Sequence, residues 1–295
     1  MWEVVFSFVN LIYLLDKEVR KMNQKDVVSK SILTKATGFL ASGYTHSLNP
    51  YAGCTFSCKF CYVRELPIQR FKEMEWGTWL ELKFNAAEVY QKEIQKLRKK
   101  EQPVCIFMSS ATDPYQPAER KAGITRALLE TMINHPPDFL LIQTRSPLVT
   151  RDIDLLLQLQ KVCDLRVSMT IETDREDVKQ IFSPYAPGMK LRMNALKKVK
   201  ESGILTQVAI APMLPFTPEF PEKIEGMMDR ICIDTLYLGD GSLGKTSKRL
   251  GMPELFDQHG FLDWYDKDIH IKAIRYFEKF YPSSMIYLSQ EGFAP

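Results

Sequence analysis

The chain has 295 residues, of which 45% are hydrophobic and 25% charged, with a net charge of +3 at neutral pH. That length suits one large domain or two small ones, and the balance is that of a soluble globular protein. The charge is too small to argue by itself for a nucleic-acid partner. The six cysteines follow no disulfide framework and fit a reducing, cytoplasmic compartment.

Residues 2–15 are mostly apolar and run into the charged stretch 16–21. The apolar run is too short to cross a bilayer, and it lacks the basic start and small-residue cleavage site of a signal peptide. It reads as an amphipathic or core-docking helix, or as an extension upstream of a natural start at Met22. The extension is favoured, because the readable pattern begins near Lys30. Residues 1–29 are therefore set apart as an N-terminal extension, 30–240 as the main domain, and 241–295 as a C-terminal loop and closing helix packed on it.

From residue 44 onward, short apolar strands alternate with segments of helical period. Strands are expected at 44–49, 103–109, 139–144, 165–172, 205–211 and 233–239. Helices are expected near 86–100, 120–134, 151–161, 174–181, 190–202 and 219–229. Pro136 and Pro137 stop one helix, and Gly203 sits where a glycine would end another. Residues 268–281 read as a closing helix and 284–288 as a last strand. Such alternation predicts an α/β fold of parallel strands with helical crossovers. Periodicity alone leaves open whether the sheet is a barrel or doubly wound.

The most telling residues are Cys54, Cys58 and Cys61, a C-x3-C-x2-C run on the loop after the first expected strand. Three thiolates on one short loop can hold three irons of a 4Fe–4S cluster. Electron-transfer clusters have four cysteine ligands, so three leave one iron open to bind a substrate or cofactor. The competing reading is structural zinc, which wants four ligands and would need His46 as the fourth.

The expected strand at 165–172 alternates faces. Val167, Met169 and Ile171 share one face, and Ser168, Thr170 and Glu172 share the other, a polar row suited to a ligand or to a satisfied polar network. Pro114 and Pro117 place Thr112 and Asp113 on the loop above the strand at 103–109. In the helix near 190–202, Leu191, Ala195 and Val199 form the apolar stripe, and five basic residues, Arg192 among them, form a solvated face. Residues 239–246 match the phosphate-loop pattern G-x4-G-K-T, but Gly251 and Pro253 interrupt the long helix that such a loop needs. A nucleotide hydrolase is thus a weaker alternative, and Lys245 and Arg249 remain candidates for substrate contact. Cys105, Cys163 and Cys232 fall at the starts of expected strands, away from the cysteine loop, and read as small buried hydrophobes. Trp76 and Trp79 read as packing residues.

The cysteine run, with aromatic Tyr62 after it, resembles the radical S-adenosylmethionine (radical SAM) enzymes. Beyond it, the chain resembles the branch similar to spore photoproduct lyase, often labelled DNA repair photolyases. The resemblance covers about 30–240. It rests on Ile32-Leu-Thr34, Thr45-His-Ser-Leu-Asn-Pro-Tyr-Ala-Gly53, Cys61-Tyr-Val-Arg64, Thr112-Asp-Pro-Tyr-Gln-Pro-Ala-Glu119, the strand around Ser168, and Pro212-Met-Leu-Pro215. It implies a partial (β/α)6 barrel of TIM type with chemistry at the C-terminal strand ends. It also implies a 4Fe–4S cluster on Cys54, Cys58 and Cys61, with S-adenosylmethionine chelated at the open iron and cleaved to methionine and a 5′-deoxyadenosyl radical. A small reductant protein, a flavodoxin or ferredoxin, would supply the electron. Tyr62 would lie near the adenine, and Thr112 and Asp113 near the methionyl amino group. Ser168, Thr170 and Arg192 would lie near the ribose and carboxylate, with Glu172 in the same row. Two departures stand out. Ser183-Pro184 replaces a Glu-Pro pair, and Ser109-Ser110-Ala111 stands where spore photoproduct lyase has a hydrogen-donating cysteine. The substrate stays open, nucleic acid included, and no membrane partner is expected.

Overall fold

The computed structural model describes residues 22–239 and 241–295. The expected apolar segment at 2–15 lies outside the described residues. Eleven strands are present among them, in two sheets.

The larger sheet has eight strands. Its central run is parallel, in the order β3 (His46–Leu48), β6 (Cys105–Met108), β7 (Phe139–Thr144), β8 (Asp164–Thr170), β9 (Thr206–Ile210), β10 (Arg230–Ile233) and β11 (Ile286–Leu288). β2 (Leu33–Lys35) lies antiparallel to β3 at one edge. The sheet ends at β2 on one side and β11 on the other, so it is an α/β sheet of mixed direction whose two edges do not pair. A smaller sheet of three strands pairs β5 (Trp79–Lys83) parallel to β1 (Asn23–Val27) and antiparallel to β4 (Tyr51–Ala52). No described helix is long and apolar enough to cross a membrane.

The parallel strands are buried on both faces, as crossover helices require. Ile106, Ile142, Val167, Met169, Val208 and Ile231 face the helices, where they meet Tyr90, Ile94, Leu128, Leu156 and Leu196 in one core. The opposite face carries Phe107, Gln143, Arg145 and Thr170 and lines a cavity. Successive residues of a strand point to opposite sides, so the same short segments build the core and the site.

Three expectations need correction. The strand at 233–239 is instead β10 at Arg230–Ile233. Just beyond it the Asp234 carboxylate accepts from Thr235 N and the Thr235 hydroxyl from Tyr237 N, folding an apolar-looking run into a turn. Cys232 therefore lies near the end of a strand, buried. On the helix Met189–Glu201, Leu191 is exposed while Arg192 is fully buried with Ala195, Leu196 and Val199. The stripe is rotated because Arg192 has an internal partner. The helix expected at 219–229 is a single turn, Phe220–Lys223.

Candidate active site

The cysteine loop leaves β4 through Gly53, whose φ is +86°. A Cβ there would sit 2.5 Å from the Trp79 carbonyl oxygen, so only glycine fits. Cys54 follows at once. Ser57 N donates to Cys54 O at 3.3 Å, and Cys61 N to Cys58 O at 3.2 Å. These turns bring three thiols to one wall. The Arg64 guanidinium donates to Ser57 O and Cys58 O at 3.0 and 3.1 Å. The Ser57 hydroxyl donates to Trp76 O at 2.9 Å. From the other side the Thr112 hydroxyl donates to Gly53 O at 2.5 Å, and Thr55 N donates to the Gln116 carboxamide oxygen at 3.1 Å. Trp76 and Trp79 pack edge to face beneath, at 5.9 Å. Protein contacts from both sides thus hold the backbone of the loop.

The three thiols face a cavity of about 460 Å³. Burial pushes their pKa values up, that of Cys58 to about 11 with Arg145 opposing. Among the expected site residues, Tyr62, Thr112, Asp113 and Thr170 line this cavity with the cysteines. The Tyr62 hydroxyl donates to Ser110 O. The Asp113 carboxylate accepts from Tyr115 N at 2.9 Å, the Thr144 hydroxyl at 2.8 Å and Arg145 N at 2.7 Å, tying the ends of β6 and β7 together.

Ser168, Glu172 and Arg192 lie outside the lining and are fully buried. The Ser168 hydroxyl accepts from Gln207 Nε2 at 3.1 Å. Glu172 holds Arg145 Nε at 2.7 Å and Arg192 Nη1 at 2.6 Å. Arg192 also donates to Pro187 O and Thr170 O. Burial pushes the Glu172 carboxyl up, but the two guanidiniums outweigh it and hold its pKa below the usual range.

Arg145 is the residue that sequence reasoning missed. It follows β7, faces the cavity, and lies 5.6 Å from the Phe60 ring centroid. Burial works against its charge, yet Glu172 and the neighbouring Cys58 prevail and keep it protonated above its ordinary range. Only its place one residue beyond an expected strand hinted at a role. The site therefore combines three thiols, hydroxyls and a fixed cation around one cavity.

The competing readings fare worse. His46 Nδ1 pairs with the Thr45 hydroxyl at 2.9 Å, and no three His, Cys, Asp or Glu side chains among the described residues gather closely enough for a single metal ion. Irons of a cluster need one thiolate each, which suits thiols set apart on a loop. The helix that starts after Gly244 has only five residues, Lys245–Arg249, and a separate one follows at Met252–Gln258. Arg249 is paired with Glu65 at 3.0 Å, and neither it nor Lys245 lines the cavity.

The sequence profile of the radical SAM superfamily matches residues 48–231, well over half of the chain. The chain belongs to the radical SAM superfamily. An uncharacterized protein of Methanocaldococcus jannaschii is 31% identical over 173 residues, covering 59% of this chain and 62% of that one. One from Acidianus two-tailed virus is 36% identical over 177 residues, covering 57% and 56%. The chain thus spans about three fifths of the length of these relatives. Among solved structures, a spore photoproduct lyase variant superposes with a TM-score of 0.62 at 16% identity, over 90% of this chain and 81% of that one. Another, with bound AdoMet and dinucleoside spore photoproduct, gives the same values. At this identity the likeness speaks for the fold.

Proposed function

We propose that this protein is a radical SAM enzyme built on a partial (β/α)6 barrel, with its chemistry at the C-terminal strand ends. Cys54, Cys58 and Cys61 each hold one iron of a 4Fe–4S cluster, and S-adenosylmethionine completes it. The observation that carries this reading is the meeting of three loop thiols with Arg145, Thr112 and Thr170 around one cavity. When bound and reduced, the pair supplies a 5′-deoxyadenosyl radical that abstracts hydrogen. The chain's part is to bind, orient and exclude water. Arg145, held charged by Glu172, suits the carboxylate of the cofactor. Tyr62 and Thr170 offer an aromatic face and a hydroxyl for its adenosine part. Gly53, Thr112, Gln116 and Arg64 fix the loop that presents the thiols. A small reductant protein such as a flavodoxin or ferredoxin would supply the electron, and Lys59, exposed between Cys58 and Cys61, is a cation beside the loop that an acidic partner could meet. The reducing cytoplasm would keep such a centre intact.

Anaerobic reconstitution with iron and sulfide tests the reading. Brown protein that turns S-adenosylmethionine into 5′-deoxyadenosine under reduction is expected. Alanine at Cys54, Cys58 or Cys61 abolishes this, whereas alanine at Cys105, Cys163 or Cys232 retains it. Stoichiometric zinc with no iron chromophore would refute it.

The natural reaction differs from efficient spore photoproduct repair. A thiol donates hydrogen readily, whereas Ser109, Ser110 and Ala111, which line the cavity, do not. Cys105 lies five residues before Ser110, roughly 16 Å along extended chain. Tyr115 is fully buried and does not line the cavity. With thymine-dimer photoproduct and reduced enzyme, stalled or by-product-rich turnover is expected on chromatography. Many clean turnovers to two thymines would contradict this.

A further inference from the structure

The cavity has two ends of different chemistry. At one end the three cysteines pack into a cluster with Phe56 and Phe60. Ala36, Phe39, Leu40, Phe107 and Phe293 line the other end and belong to a separate cluster. In that second cluster Leu141, Ala209 and Cys232 are fully buried and do not reach the cavity. Ala36, Phe107 and Phe293, which do line it, keep 9%, 6% and 8% of their surface. The cluster thus has a sealed back and an open, apolar front. The rings of Phe39 and Phe107 each meet that of Phe293 edge to face at 6.1 Å. Ser47, paired in register with Phe107, sets one hydroxyl-bearing side chain among them.

This front is braced. Phe293 ends the short helix Ser289–Phe293, whose carbonyls are held by side chains from distant parts of the chain. The Tyr44 hydroxyl donates to Phe293 O, Arg166 Nη1 to Ala294 O at 2.9 Å, and Arg230 Nη2 to Glu291 O at 3.3 Å. Gln290 Nε2 donates to Phe39 O at 2.5 Å, which ties the helix to the segment carrying Phe39 and Leu40. Gly292 lies so close to Cys232 that a Cβ would sit 2.3 Å from its Sγ. Protein interiors are close-packed, and an apolar wall facing unfilled space forfeits dispersion and burial. A wall that is fixed in place and left open suits an occupant that covers it.

The wall also defines that occupant. Three rings and two aliphatic side chains offer dispersion, and they offer nothing to a charge or to a row of hydrogen-bonding groups. We propose that Ala36, Phe39, Leu40, Phe107 and Phe293 form a substrate subsite that takes a compact, uncharged hydrocarbon group. The inference rests on the radical SAM reading for the use of the cavity as a substrate site, although the wall itself consists of protein atoms only.

The probe is toluene, titrated into the full reconstituted chain with 13C-labelled phenylalanine rings and read by intermolecular NOE. Thymine, a flat ring of similar size with a polar edge, is the comparison. Toluene should bind saturably and at least about tenfold more tightly than thymine, whose amide groups the wall leaves unpaired. Its NOEs should fall on Phe107 and Phe293, assigned through Phe107→Leu and Phe293→Leu. Ala36→Leu fills the space from the wall and should weaken toluene at least about tenfold. Phe84→Ala, at an exposed ring that does not line the cavity, should change nothing. Equal or tighter binding of thymine, NOEs confined to exposed rings such as Phe71 and Phe84, no saturable toluene binding, or undiminished toluene binding by folded Ala36→Leu would overturn the proposal. The wild-type comparison does not depend on any variant folding. 5′-Deoxyadenosine formation on the same preparation reports separately on the radical SAM reading, and its absence would leave the toluene result standing.

Discussion

At Glu172, site chemistry and stability share one carboxylate. It is fully buried between Arg145 and Arg192. Removing its charge strands the buried Arg192 guanidinium and frees the partly exposed one of Arg145, so Glu172→Gln should cost about 3 kcal/mol in denaturant unfolding, against about 0–1 for breaking the exposed Arg175–Asp177 pair. The sign with pH follows from its lowered pKa. An unfolded glutamate titrates near ~4.3, so the stabilisation is fully present above that and is lost as pH falls through the lower folded value. Urea midpoints from pH 7 down to 3 should fall more steeply for wild type than for Glu172→Gln, and parallel curves would show that the pair carries no such coupling. Arg145 and Ser168 divide the roles further. Arg145→Ala should weaken S-adenosylmethionine binding about ten- to hundredfold by calorimetry, with Arg145→Lys recovering part of it. Ser168→Ala removes only the acceptor for Gln207. It should cost about 1 kcal/mol of stability and leave cofactor binding unchanged. Equal binding losses in both would mean that the whole polar row meets the ligand. Of these residues, Thr170 and the cysteines were legible from spacing and alternation. Arg145 was not, because a single basic residue past a strand looks like any surface cation until Glu172 is seen across from it.

At the scale of elements, the cysteine loop depends on its first turn. Gly53→Ala forces a Cβ toward the Trp79 carbonyl at a φ that alanine resists. It should lower stability by at least about 2 kcal/mol and reduce iron per chain on reconstitution. Normal iron content with wild-type melting would show that the loop can be re-formed without this turn. β6 to β9 were readable because strands buried on both faces are apolar runs between crossovers. β1, with sequence Asn23-Gln-Lys-Asp-Val27, was not, since it is polar, mostly exposed and held mainly by pairing with β5. β4 has two residues, too few for any period. β10 was misread because Leu236, Tyr237 and Leu238 continue its apolar pattern, while the Asp234 and Thr235 side chains, which cap a turn, act through hydrogen bonds that hydrophobicity does not register.

At the scale of the molecule, the parallel direction of the central strands followed from strand–helix alternation, but their order and the edges of the sheet did not. The antiparallel β2 and the return of the chain to β11 are contacts between distant segments, set by packing. The same holds for the anchoring of the cysteine loop. Thr112 and Gln116, from the segment after β6, grip Gly53 and Thr55, while Arg64 grips the carbonyls between the first two thiols. In a zinc finger the metal is the reason the loop has a shape, and stripping it unfolds the domain. Here side chains outside the cysteine run brace its backbone as well, so the shape of the loop is written partly in the polypeptide and does not rest on metal ligands alone.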